Sequence, residues 1–117
     1  LSECQGQLPE GNEKTTTLAE MRAWVDQFAS DRNWEKYHSP KNLAISITIE
    51  AAELLEHFQW TNGGRWRDGE TSLNREAAAA EMADILAYLL RLSSVLKIDL
   101  GKALSQKIAE NAKKYPI

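Results

Sequence analysis

Ile47-Thr48-Ile49-Glu50-Ala51-Ala52-Glu53-Leu54-Leu55-Glu56-His57 sets two carboxylates three residues apart inside an otherwise apolar run, and Glu81-Met82-Ala83-Asp84 repeats the arrangement after 27 intervening residues. On a helix, positions i and i+3 share a face, with Cβ atoms about 5–6 Å apart. At about 100° per residue, Glu50 and Glu53 fall on the arc that carries Leu43, Ile47 and Leu54. Glu81 and Asp84 share theirs with Ile85, Leu92 and, nearby, Tyr88. Ordinary surface carboxylates lie opposite the apolar stripe of a helix; these four lie on it or beside it. The reading that follows is two long helices that turn acidic pairs towards each other.

Such an arrangement has an electrostatic consequence. Two like charges about 5.5 Å apart repel by about 3 kcal/mol at an effective dielectric of about 20, and desolvation adds to that. Either some of the groups are protonated or a cation sits among them. An all-carboxylate donor set suits a hard ion, Mg²⁺ or in its place Mn²⁺, of the kind that also binds substrate phosphate. A di-iron centre would need Glu-x-x-His on two helices. His57 follows Glu53 by four and Glu56 by one, His38 lies in a connection, and the helix of Glu81 has no histidine. His57 is therefore read as a polar neighbour of the acidic arc.

The flanking sequence supplies the helix boundaries. Residues 1–16 are polar and aperiodic and read as a leader; residues 17–117 form one domain. Thr17-Leu18-Ala19-Glu20 is a capping box, followed by Leu18, Met21, Val25 and Phe28 as an amphipathic stripe. Ser39-Pro40 opens a second helix, Ser as cap and Pro at its first position, running to about Gln59. A loop from Thr61 to Thr71 leads to a third helix with its body at Glu76–Leu96. Asp99 caps a fourth, with Leu100, Leu104 and Ile108 spaced by four. Four helices on short connections predict an all-α, four-helix antiparallel bundle. Apolar residues on several sides of the third helix (Met82, Ile85, Leu86, Leu89, Leu90, Leu92) exceed what one small bundle buries and predict a homo-oligomer.

Composition narrows the partners. With 14 Lys plus Arg against 17 Asp plus Glu, the net charge is −3, which disfavours duplex nucleic acid. A single cysteine, Cys4, excludes a disulfide framework and a cysteine zinc site within these 117 residues. No apolar run approaches the length of a membrane span, and the start lacks a signal-peptide pattern, so a cytoplasmic location is expected. Lys107, Asn111 and Lys114 recur along one face of the last helix, next to Tyr115, and suit a phosphate chain; as a bland alternative they form a solvated cationic last turn favoured by the helix dipole. Trp34, Trp60 and Trp66 fall at helix ends or in loops, where aromatics stack on planar bases or merely seal the ends of a bundle; stacking is expected of Trp34 and Trp60 before Trp66. Trp24 reads as core or interface.

An acidic cluster, a cationic helix and tryptophans placed to stack on a base describe a nucleotide-hydrolysing pocket, and here the sequence resembles the MazG-like all-α nucleoside triphosphate pyrophosphohydrolases, whose hallmark is ExxE, a spacer, then ExxD. Residues 17–117 carry the resemblance. The stretches 31–43 (DRNWEKYHSPKNL), Phe58-Gln59-Trp60 and Lys113-Lys114-Tyr115-Pro116 are most similar to the dCTP pyrophosphatase branch. The resemblance implies Mg²⁺-dependent cleavage between the α- and β-phosphates of a (deoxy)nucleoside triphosphate, dCTP or a relative, in housecleaning of the nucleotide pool. It implies Glu50, Glu53, Glu81 and Asp84 as the catalytic metal-binding set and Trp34 and Trp60 as base-pocket residues. Tyr88, Asn111 and Lys114, with Lys107 and Tyr115 beside them, would contact sugar and phosphate, in pockets drawing on neighbouring subunits of a homodimer or homotetramer. A phosphoribosyl-ATP pyrophosphohydrolase, and a non-enzymatic helical module whose acidic pairs meet Arg75 or Arg91 across subunits, are the alternatives.

Overall fold

Helix α1 (Leu18–Asp31) begins at the capping box expected of it: the Thr17 hydroxyl accepts from the Glu20 amide and the Glu20 carboxylate accepts from the Thr17 amide, both at 3.1 Å. Each such cap is worth about 1 kcal/mol. The computed structural model describes residues 8–61 and 73–117; Cys4, Trp66 and nearly all of the 61–71 loop lie outside them. α1 ends in a Schellman turn, with the Trp34 amide donating to Ala29 O and the Asn33 amide to Ser30 O. Asn33 takes the left-handed conformation this requires (φ 56°), which asparagine tolerates better than most residues.

A single 3₁₀ turn, Glu35–Tyr37, then hands the chain to helix α2 (Pro40–Glu56). Ser39 accepts from the Asn42 amide, and Pro40 stands where its missing N–H costs nothing. α2 stops at Glu56 rather than near Gln59; tighter i→i+3 turns carry the backbone on to Thr61. Helix α3 (Arg75–Leu96) is capped by Asn74, which accepts from the Ala77 amide. A second Schellman turn, with Lys97 left-handed and Ile98 N–H on Ser93 O, ends it. Asp99 then caps helix α4 (Leu100–Lys114) by accepting from the Lys102 amide.

α3 is the central helix, with α2 packed along one side and α1 on another. His57 meets Glu81 at one end of the α2–α3 pair and His38 meets Arg91 at the other, so the two helices run antiparallel. The core is small: Ala29 of α1, Leu43 of α2, and Ala78 and Leu90 of α3, with Ser93 buried beside them and donating to Leu90 O. Burying a leucine as completely as Leu43 contributes about 2 kcal/mol. On α1 the buried centre is Ala29, one residue beyond the end of the expected stripe. Phe28 is exposed, with the Arg32 guanidinium on its face and Trp34 against it edge-on.

The fold is all-α with four helices, as expected, but within one chain it does not close as a four-helix bundle. α4 buries none of its residues, and Leu104 and Ile108 are 62% and 59% exposed. The radius of gyration, 17.1 Å, exceeds the roughly 13 Å expected for a compact chain of this length. Equal spacing of Leu100, Leu104 and Ile108 predicts an apolar ridge correctly but says nothing of which chain covers it. No helix among the described residues is long and apolar enough to cross a membrane.

Candidate metal centre

The carboxylates converge because the rows that carry them are the rows that pack. On α2, Leu43, Ile47, Glu50 and Leu54 follow one face, and Leu43 is buried at its base. On α3, Ala78 lies one turn before Glu81 and is itself buried; a methyl side chain there lets the two backbones approach. Glu50, Glu53 and Glu81 are each half-buried, and each offers an oxygen lying within 4.8 Å of the others'. One oxygen of Glu50 and one of Glu81, the Oε2 atoms, are buried without a hydrogen-bond partner among the described residues. A buried carboxylate oxygen normally finds a donor; two without one, in a cluster whose donors are all carboxylate oxygens, fit a hard divalent cation.

Asp84 takes a different place from the other three. It is exposed and outside the tight trio, yet close enough for its charge to act on Glu50. The Glu50 carboxyl is held above its usual range, chiefly by the close approach of the Glu81 carboxyl, then by burial and by the charges of Asp84 and Glu81; the neighbouring Glu53 carboxyl opposes this. A group whose folded pKa is raised contributes stability that is present below its unfolded value, near 4.5, and lost as pH rises through the folded value. Glu50→Gln is therefore expected to stabilise the metal-free protein relative to wild type at neutral pH, with the difference shrinking towards pH 4. Urea unfolding of both proteins across that range checks it; a difference that grows on acidification would contradict the assignment.

Around the trio, His57 approaches Glu81 (Nε2 to Oε1, 3.7 Å) from the cap of α2. Tyr88 is half-buried one turn beyond Asp84 on α3. Trp34 and Trp60 flank opposite ends of α2, whose 17 residues span about 25 Å. Trp60 is 79% exposed near the carboxylate end, and Trp34, at 44%, leans on Phe28 at the other. Lys107, Asn111, Lys114 and Tyr115 all lie exposed on or just after α4. Lys107 pairs with Glu110 at 3.7 Å, and the Lys114 ammonium stands 5.5 Å from the Tyr115 ring. α4 buries none of its own residues, and among the described residues no hydrogen bond or ion pair joins these four to the carboxylates.

One constellation escaped the sequence reading. Arg91 donates from Nε to His38 Nδ1 at 2.9 Å and from Nη1 to Asp26 Oδ1 at 2.8 Å, and Ser94 Oγ donates to Asp26 Oδ2 at 2.7 Å. Arg91 lies seven residues, two turns, beyond Asp84 and so in the same row of α3. A charge on an inward arc is the signal that singled out the carboxylates, and it was present here too.

Residues 45–117 match the MazG-like family. The chain is 37% identical over 101 residues to human dCTP pyrophosphatase 1, an alignment covering 86% of this chain and 59% of that protein. It is 34% identical over 106 residues to the rat dCTP pyrophosphatase 1, covering 86% and 60%. It thus spans about three-fifths of the length of the curated relatives it matches. A crystal structure of a pyrophosphatase from Archaeoglobus fulgidus superposes with a TM-score of 0.77 at 38% identity, covering 95% of this chain and all of that one. With the doubled acidic motif, the four-helix fold and these similarities together, the chain belongs to the MazG-like family.

Proposed function

We propose that this chain is a divalent-metal-dependent nucleoside triphosphate pyrophosphohydrolase, cleaving dCTP or a related deoxynucleoside triphosphate to the monophosphate and pyrophosphate. The observation that carries this reading is the carboxylate trio with its two buried, partnerless oxygens. The similarity to proteins named dCTP pyrophosphatase supports the choice of substrate.

Glu50, Glu53 and Glu81, with Asp84 at their side, would hold Mg²⁺ or Mn²⁺. When bound, such an ion supplies charge compensation for phosphate oxygens and makes water more acidic. The chain's own residues do the remainder. A carboxylate of the cluster accepts the proton of the attacking water. His57 orients Glu81, Tyr88 lines the path along α3, and Trp34 and Trp60 offer faces on which a base stacks. Lys107, Asn111, Lys114 and Tyr115 contact sugar and the departing pyrophosphate from α4 of a second copy. The homo-oligomer this requires also covers the apolar ridges left open on one chain: Leu104 and Ile108 of α4, Met82, Leu86 and Leu89 of α3, and Ile45 and Ile49 of α2.

The test is pyrophosphate release from dCTP, dTTP, dATP, dGTP and CTP, each with Mg²⁺ and with chelator. Metal-dependent release with dCTP foremost is the expected result. Release led by another base would keep the chemistry and overturn the substrate. Absence of release from all five would remove the reading.

A further inference from the structure

Resting on that reading, we propose that Arg91 is a positioning residue for substrate: anchored by Asp26, it clamps His38, and with it the Trp34–His38 turn, against α3. On the α1 side the turn is held by Trp34, whose backbone N–H donates to Ala29 O and whose ring meets Phe28 edge-on. None of its residues is buried, and Tyr37 is largely exposed. Its internal bonds, Tyr37 N–H to Trp34 O and His38 N–H to Glu35 O, hold its shape but do not fix it to the helices. Asn42 of α2 reaches the Tyr37 carbonyl at 3.0 Å, and the tie to α3 is the Arg91–His38 bond.

The clamp is built to be rigid. The Arg91 side chain is only 11% exposed, its planar fork divides between an imidazole and a carboxylate, and the second oxygen of that carboxylate is taken by Ser94. Because guanidinium only donates, His38 Nδ1 must be the unprotonated nitrogen, so the clamp exists only with a neutral imidazole. The charged groups facing His38 are Arg91 from α3, Asp26 from α1 behind the guanidinium, and Glu35 from its own turn. Burial and the adjacent Arg91 hold its pKa below the ordinary 6.5, against the pull of Glu35. The clamp is therefore closed above about pH 6.5 and opens as pH falls through the lowered value. Along α3, Arg91 and Asp84 stand about 10 Å apart with Tyr88 between them. The clamp thus sets where the Trp34 turn sits relative to the carboxylates without touching the reacting phosphates.

The experiment uses Arg91→Met, His38→Leu and His38→Asn in the full chain. Arg91→Met and His38→Leu are expected to raise KM for dCTP by about tenfold or more, the order of losing one charge-assisted hydrogen bond, with kcat within about threefold. His38→Asn presents an oxygen in place of Nδ1 and should restore a near-normal KM, while abolishing the rise in KM expected of wild type as pH falls through the lowered His38 value. Hydrogen exchange provides a readout independent of turnover. The peptide spanning 33–38 should exchange faster in Arg91→Met, while peptides within 43–56 and 78–95 stay protected. Unchanged KM and unchanged exchange in Arg91→Met and His38→Leu would overturn the clamp, as would an Asn variant that behaves like Leu. Should wild type release no pyrophosphate, the functional reading fails instead, and exchange alone decides the clamp.

Discussion

Glu53→Gln is expected to reduce turnover by about a thousandfold or more while the metal-free protein keeps, or slightly gains, thermal stability. The substitution preserves volume and hydrogen-bonding capacity and removes one negative charge from a trio whose ligand oxygens lie within 4.8 Å of one another. In a site with nothing positive inside it, losing a charge relieves repulsion; in a site built for Mg²⁺, it removes a ligand and the charge that holds the ion. The two effects have opposite signs, which is what separates a metal centre from a structural cluster. Wild type should gain about 2.7 kcal/mol of stability with Mg²⁺ at a hundred times its dissociation constant, and the variant should gain little. Thermal unfolding with and without Mg²⁺, alongside pyrophosphate release, reads both. A variant that turns over normally would take Glu53 out of the mechanism, and a wild type indifferent to Mg²⁺ would take the ion out of the site.

The helices were legible because their signals are local. Thr17, Ser39 and Asp99 each cap the helix expected of them, since a cap needs only its own first turn. The inward set of Glu50, Glu53 and Glu81 was legible because helical phase alone places them with Leu43 and Ile85. Phase could not separate Asp84 from Glu81. One is exposed and the other half-buried, since three residues turn about 300° rather than a full circle and α2 covers only part of that arc. The standing-off of α4 was not legible either. Its apolar ridge reads the same whether the surface that covers it belongs to its own chain or to another. Helical phase offers a signal for Arg91 itself but none for its partners, which lie 53 and 65 residues away; no local pattern joins Asp26, His38 and Arg91.

That standing-off leads to the second large effect, restoration of activity on mixing two inactive proteins. Glu53→Gln lacks a carboxylate; Lys114→Ala lacks the cation that α4 would bring to the phosphates. If each site took both from one chain, a mixture could do no better than its components. In one chain, however, α4 buries none of its residues and carries Leu104 and Ile108 to solvent. A ridge of that kind is covered when a second copy packs on it, and a twofold axis makes the exchange reciprocal. In a mixed dimer one site then collects both substitutions and the other collects neither. Random pairing makes about half the dimers mixed, each with one intact site of two, so about a quarter of wild-type activity should return. Co-refolding equal amounts of the two variants and measuring pyrophosphate release tests this. Mixtures no more active than the separate variants would place Lys114 with the carboxylates of its own chain, and α4 would then have to fold back along α3.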